Sequence, residues 1–311
     1  MNTPRTVFMG SPDFAVPALR ALSTAYPLAG VITQPDRPAG RGNQLTPPPV
    51  KIAAQELGIE ILQPEKLRQP EAMQKLKEWN PDLIVVAAFG QILRPEVLNL
   101  PKYGCVNVHA SLLPRHRGAA PIQAAILSGD QETGITIMLM DPGIDTGPML
   151  AQRSMPILPT DTGGSLFEKL STLGGDLLLE TLPRYLSGQL KAQPQPAEGA
   201  TYAPMLKKEH GQLDFSRPAA ELERQIRAFS PWPGTSMDWQ GTLLKIHQAH
   251  VTTGHWEIGK LGIVDGSPAI GTAEGLIVFD ELQPPGKSKM PGKAFLAGGR
   301  AWETNSHPIQ K

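Results

Sequence analysis

The stretch DLIVVAAFG, Asp82 to Gly90, constrains the fold more than any other part of the chain. It is apolar at nearly every position rather than at alternate ones, the pattern of a strand covered on both faces. Similar short runs surround it: TVFMG (Thr6 to Gly10), LAGVITQ (Leu28 to Gln34), IEILQ, CVNV (Cys105 to Val108) and GITIMLM (Gly134 to Met140). Helical stretches separate them, from Ala15 to Leu22, from Glu65 to Trp79 and from Ala119 to Leu127. Strands alternating with helices predict an α/β domain, a mostly parallel sheet with helices on both faces.

The pattern changes after a helix predicted from Gly164 to Leu186. SGQLKAQPQPAEGATYAP, Ser187 to Pro204, is rich in Pro, Gly, Gln and Ala and reads as an extended linker. A helix from Pro218 to Ala228 follows, and then TLLKIHQAHV, GKLGIVDG, PAIGTA and GLIVFDELQ, which have the spacing of a small antiparallel barrel. The 311 residues suffice for two domains with separate cores. The boundaries expected are 1–188 for the α/β domain, 189–206 for the linker and 207–311 for the β-rich domain.

Lysine plus arginine equals aspartate plus glutamate, 29 against 29, so no global field advertises a nucleic-acid partner, and any such partner would be held by local patches. The single cysteine, Cys105, excludes an intrachain disulfide and a cysteine zinc site and fits a reducing compartment. His247, His250 and His255 match no standard zinc spacing. MNTPRTVFMGSPDF has no apolar leader core, and no run is long enough to cross a bilayer. A cytoplasmic monomer with no membrane partner is the expectation.

Parallel sheets bind ligands at the carboxyl ends of their strands. GCVNVHASLLPRHRGAAPIQ places polar groups at one such end. Side chains two apart on a strand share a face, so Asn107 and His109 point one way and Val106 and Val108 the other. MDPGIDTGPM supplies a companion, because Gly143 and Gly147 bracket Asp145 in a tight loop after the strand ending at Met140. Should the two strands be neighbours, the carboxylate reaches His109 and favours its charged form. Asn107 and a charged His109 then form two donors for a developing oxyanion, a constellation suited to attack by an external amine on a carbonyl carbon. Other motifs fail their tests. GSPDFA has one glycine where a dinucleotide fingerprint needs three, and PGKSK, Pro285 to Lys289, lacks the first glycine and the helix of a phosphate loop.

Taken together, NVHASLLPRHRGAAPIQ and DPGIDTG resemble the formyltransferase family that uses 10-formyltetrahydrofolate, and GSPDFA, TQPDRPAGRG, VVAAFGQIL, IRAFSPWPG and LQPPGKSKM extend the resemblance over nearly the whole chain. The resemblance implies a Rossmann-like catalytic domain followed by an OB-like barrel. The implied reaction moves the formyl group of 10-formyltetrahydrofolate, a cosubstrate, to the α-amino group of methionyl initiator tRNA, with no metal. The implied catalytic residues are Asn107, His109 and Asp145. Phe89, Gly90, Ser111, Leu112, Leu113 and Pro114 would line the folate site. Two positions depart from the family pattern, His116 in place of an aromatic and Ala110 in place of a glycine, and neither touches the trio.

The segment QPDRPAGRGNQLTPPPVK, Gln34 to Lys51, is too long for an ordinary strand-to-helix connection. In the family it contacts the acceptor arm of the tRNA, which assigns Arg37 and Arg41 to phosphates or base edges. From Glu209 onward the chain carries ten Lys and Arg against eleven Asp and Glu. Lys287, Lys289, Lys293 and Arg300 nevertheless cluster near its end, with Lys207 and Lys208 at the domain's entrance. On an OB-like domain such a patch is expected to grip an RNA backbone, with Lys287 and Lys289 as named contacts. Cys105 reads as an inert core thiol, and SPWPG as a rigid turn with a packed Trp232. The alternatives are transfer to a nucleotide-linked amino sugar, hydrolysis of formyltetrahydrofolate, and RNA binding without catalysis. The long loop favours the tRNA, because a small substrate has no use for it.

Overall fold

The chain runs β1 (Thr6–Gly10), α1 (Val16–Ala25), β2 (Leu28–Ile32), a hairpin of β3 (Arg37–Ala39) and β4 (Gln44–Thr46), α2 (Pro49–Glu56), β5 (Ile61–Leu62), α3 (Pro70–Trp79), β6 (Leu83–Ala87), α4 (Pro95–Leu98) and β7 (Cys105–His109). It continues through β8 (Arg117–Gly118), α5 (Pro121–Leu127), β9 (Glu132–Leu139), β10 (Met149–Pro156), α6 (Gly163–Leu186) and β11 (Tyr202–Ala203). This computed structural model describes residues 3–39, 44–298 and 302. Seven strands form one sheet in the order β10-β9-β7-β6-β1-β2-β5. From β7 to β5 all neighbours are parallel, while β9 is antiparallel to both β7 and β10. All five residues of β6 are buried, as its unbroken apolar sequence requires. Chain order reverses between β1 and β6, so a ligand crevice is expected beyond their carboxyl ends. The end of β7 is one strand away.

One face of the sheet is covered by a cluster that includes Val7, Met9, Ile32, Leu76, Trp79, Ile84, Val86 and Phe89. Each such side chain contributes about 1.5–3 kcal/mol relative to exposure. Against β7 the approach of α6 is set by a glycine, because a Cβ on Gly174 would stand 2.8 Å from Val108 Cγ1.

Several elements differ from the sequence expectation. α3 starts at Pro70 rather than Glu65. Proline has no N–H and its ring collides with the preceding turn, so Pro70 can occupy only the first turn of a helix. Between 34 and 51 the described residues form the antiparallel pair β3 and β4 and then the start of α2, which likewise carries proline in its first turn. β10 was not anticipated. It is an edge strand with alternating exposure, and its polar side dilutes the apolar signal.

The chain divides into two compact units, one of Met1–Pro121, Glu132–Pro156 and Phe167–Ala203, the other of Ile122–Gln131, Ile157–Leu166 and Pro204–Lys311. Through Ala203, the segment read as a linker thus lies with the first unit. β11 pairs in parallel with β8, and Met149 and Gln193 exchange two backbone hydrogen bonds of 2.7 and 2.8 Å. The second unit contains α7 (Ala219–Ala228), β12 (Thr235–Trp239), β13 (Thr242–Thr252), β14 (Leu261–Val264), β15 (Ser267–Gly271), β16 (Leu276–Gln283), β17 (Met290–Pro291) and α8 (Gly292–Ala297). Its antiparallel ladder runs β12-β13-β16-β15-β14, with β17 beside β16 and α7 packed on β13 and β16. The core holds Leu222, Ile226, Leu244, Ile246, Ile277, Phe279, Phe295 and Trp302. The α/β domain and the separate antiparallel β-rich domain are both as expected. Among the described residues, no helix is long and apolar enough to cross a membrane.

Candidate active site

Strand pairing brings Asn107, His109 and Asp145 together. β7 lies beside β9, with Asn107 opposite Met138 and His109 opposite Thr136, and the loop after β9 carries Asp145 back over the end of β7. Asn107 is 8% exposed and His109 5%. Asn107 Nδ2 donates to Asp145 Oδ1 at 3.3 Å, and the Gly118 N–H donates to Asp145 Oδ2 at 2.9 Å. His109 Nδ1 stands 3.6 Å from Asp145 Oδ2, beyond hydrogen-bond reach but within ion-pair range. At the other side of the ring, His109 Nε2 meets the His116 carbonyl at 3.0 Å, so residue 116, expected to stay clear of the trio, touches it through its backbone. A carbonyl can only accept, so Nε2 carries a hydrogen. Both ring nitrogens therefore face acceptors of the protein itself, the Asp145 carboxylate on one side and the His116 carbonyl on the other.

The Asp145 loop is built to hold its carboxylate. Asp145 has a left-handed backbone, φ +51°. Asp141 Oδ1 accepts from the Gly143 N–H at 3.1 Å and from Thr146 Oγ1 at 2.7 Å, closing the turn. A Cβ on Gly147 would stand 1.9 Å from the Leu139 carbonyl, so only glycine fits there. Gly147→Ala is expected to cost roughly 1–3 kcal/mol of stability through overpacking and to lower turnover by displacing Asp145. Denaturant midpoints and reaction rates measure both, and a variant matching the parent in each would show that the loop absorbs the methyl.

The residues assigned to a folate site are distributed unevenly. Phe89 is buried in the core, so its side chain faces no cleft, whereas Gly90 beside it is exposed, φ +77°. Ser111 and Leu113 are also buried. Ser111 Oγ donates to the Arg115 carbonyl at 2.7 Å, the Leu113 N–H donates to Thr136 Oγ1 at 3.1 Å, and Gln152 Nε2 donates to the Leu113 carbonyl at 2.8 Å. Leu112 and Pro114 are partly exposed. The Ser-Leu-Leu-Pro turn is thus fastened to β9 and β10 and ends in the loop that delivers the His116 carbonyl. Beside the Gly90 loop lies a cavity of about 440 Å³ lined by Lys66, Arg68, Lys77 and Arg94, with Glu96 as its acid and Gln91 and Ile92 at the loop.

Arg37 is exposed on β3, its Nη2 3.5 Å from Gln34 Oε1, and Arg41 lies outside the described residues, as does Arg300. The hairpin base is fixed by Asp36, whose carboxyl is held below the usual range by hydrogen bonds from Gln63 and Lys51. In the second unit Lys289 is exposed, 3.6 Å from Glu281, and Lys287 is exposed on the turn after β16. Lys289 and Lys208 line one cavity of about 480 Å³ together with Lys245 and His247. Burial holds His247 below the usual histidine range, against the opposing hydrogen bond to Gln283. Trp232, expected to be packed, is 56% exposed. The turn closes through the Gly234 N–H to the Phe229 carbonyl at 2.8 Å, and the indole is left outside it. Cys105 is buried, and burial pushes its thiol up to about 12, which fits an inert core position.

Sequence reasoning missed Lys245, the Gly118 N–H and the His116 carbonyl. Lys245 sits far in sequence from the other lysines of its cavity. The latter two are backbone groups, which the identity of a side chain does not reveal.

A family model described as formyl transferase matches residues 5–182, and one described as formyl transferase, C-terminal domain, matches residues 205–300. The chain belongs to the formyl transferase family. Among curated proteins it is similar to a methionyl-tRNA formyltransferase of Myxococcus xanthus, 51% identical over 300 residues and covering 96% of both chains. A protein of the same name from Citrifermentans bemidjiense is 48% identical over 96% of this chain and 94% of its own. Among solved structures, a sugar 3N-formyl transferase with dTDP and 5-N-formyl-THF shares the fold at a TM-score of 0.67 and 19% identity, over 93% of this chain and 100% of that one. A methionyl-tRNA formyltransferase from Clostridium thermocellum shares it at 0.55 and 16%, over 88% and 98%.

Proposed function

We propose that this chain transfers the formyl group of 10-formyltetrahydrofolate to the α-amino group of methionyl initiator tRNA. The observation that carries the reading is the meeting of Asn107, His109 and Asp145 at the carboxyl end of β7. It stands in a chain about half identical, end to end, to methionyl-tRNA formyltransferases. Sugar formyl transferases share the fold at below a fifth identity, which gives the amino-sugar alternative little support.

The neutral amine attacks the formyl carbon, a carbon–nitrogen bond forms, and the carbonyl oxygen gains negative charge. Asn107 has one amide hydrogen beyond that given to Asp145, and it serves as the oxyanion donor, beside the His109 ring whose two nitrogens face Asp145 and the His116 carbonyl. Collapse of the intermediate breaks the bond to N10. The amine loses a proton and N10 gains one, and Asp145, the carboxylate beside the pair, relays it. The folate lies along the Gly90 loop, with its glutamate carboxylates directed to the cations of the 440 Å³ cavity. The tRNA is held by Arg37 on β3, by Arg41 in the same segment of sequence, and by Lys208, Lys245, Lys287 and Lys289 of the second unit, contacts that carry the salt dependence of binding.

Incubation of the protein with formyl donor and one acceptor at a time tests the reading. Formyl is expected on methionyl initiator tRNA, with none on a nucleotide-linked amino sugar and no formate released when the acceptor is omitted. Preferential formylation of the sugar, or donor hydrolysis at an equal rate without acceptor, would overturn it.

A further inference from the structure

The chain between Gln193 and Ala203, whose composition says only that it connects, is wired to both halves of the catalytic centre. Gln195 Nε2 donates to the Asp145 carbonyl at 2.7 Å and to the Gly147 carbonyl at 2.8 Å. Its Oε1 accepts from Arg117 Nε at 3.0 Å and Nη2 at 2.8 Å. One amide thus uses both donor hydrogens and accepts twice, which fixes its orientation. The groups it ties together are the loop that carries Asp145 and the residue next to Gly118, whose N–H binds Asp145 Oδ2. Six residues on, Thr201 Oγ1 accepts the His116 N–H at 2.8 Å, and the His116 carbonyl holds His109 Nε2. The Arg117 N–H donates to the Thr201 carbonyl at 2.9 Å. The fit over Gly118 is close: a Cβ there would stand 2.6 Å from the Ala203 carbonyl, and its φ of +110° independently favours glycine.

We infer that Gln195 and Thr201 are positioning residues for the formyl transfer, Gln195 setting the Asp145 loop and Thr201 setting the His116 carbonyl that orients His109. The inference rests on the proposed roles of Asp145 and His109. Asp145 holds a left-handed backbone, and the carbonyls of Asp145 and Gly147 have Gln195 as a shared side-chain donor. Without that donor the loop loses the restraint that aims its carboxylate at Asn107 and His109. Misplacement of a catalytic group by about 1 Å can cost roughly a hundredfold in rate, so a loosened restraint is expected to appear in turnover rather than in substrate binding.

The test uses the full chain carrying Gln195→Met, which keeps length without donors, and Gln195→Glu, which keeps the Arg117 contact but sets a carboxylate against two carbonyls. Both are expected to lower kcat by roughly tenfold or more, with KM for methionyl-tRNA and for the formyl donor each within about twofold of the parent. Gln195→Glu should be no better than Gln195→Met, although it pairs more strongly with Arg117. In an Asp145→Asn background, Gln195→Met should cost less than about twofold further, because residues acting as a unit are non-additive. Thr201→Val should lower kcat, and Thr201→Ser should restore it. If Gln195→Met keeps the parental kcat, or costs the same factor with and without Asp145→Asn, the inference falls while the reading of the trio stands. Near-parental turnover of Asp145→Asn alone removes the reading of the trio, and the inference with it.

Discussion

Asp145→Ala is expected to lower formyl transfer by roughly 10²-fold or more, the loss typical of removing an electrostatic element of an oxyanion site. The carboxylate accepts from Asn107 Nδ2 and the Gly118 N–H and faces His109 Nδ1 at 3.6 Å. Its removal releases the Asn107 amide, leaves a backbone N–H without its acceptor and takes away the carboxylate that faces His109 Nδ1. The carboxylate side chain is partly exposed, so water can occupy its place, and the fold should tolerate the change. Steady-state rates with folding checked by the denaturation midpoint measure this. Turnover near that of the parent would remove Asp145 from the mechanism.

The middle of the sheet was legible in the sequence because strands such as β1 and β6 are buried throughout, and β6 carries no polar interruption. The pair of strands that frames the trio was legible as well. A two-residue spacing fixes Asn107 and His109 on one face, and the glycines around Asp145 mark a tight loop. That β7 and β9 are neighbours is not written in either strand's pattern, and the hydrogen-bonded register supplies it. What could not be read is what the backbone and the long-range pairings provide. The His116 carbonyl reaches His109 because residue 116 adopts φ +58°, which no pattern in PRHRG announces. The segment around Gln195 looked featureless because its hydrogen bonds run to residues dozens of positions away, and an extended chain has no periodicity to reveal a partner. The exposed Trp232 went the other way from expectation, since a large aromatic residue between prolines carries no sequence signal for which side it faces.

Asn107→Ala and His109→Ala are each expected to cost roughly 10²-fold or more in turnover, by loss of an oxyanion donor and of the imidazole held beside it. Asn107→Asp separates shape from chemistry, because it keeps the outline while replacing the donor with a carboxylate facing Asp145. It should be at least as inactive as Asn107→Ala. For His109, truncation to alanine leaves the His116 carbonyl without its donor. That carbonyl lies on a loop still fastened through the His116 N–H to Thr201, so the loop should hold and substrate affinities should change little. An effect confined to KM would instead assign both residues to binding.

The most direct measurement is single-turnover transfer to methionyl initiator tRNA by the parent, His109→Ala, Asp145→Ala and the double variant, with donor and tRNA bound beforehand. The trio acting as one unit predicts that each single change slows the chemical step by roughly 10²-fold or more and that the double change costs much less than the product of the two. Transfer at the parental rate in either single variant, or losses that multiply in full, would contradict it.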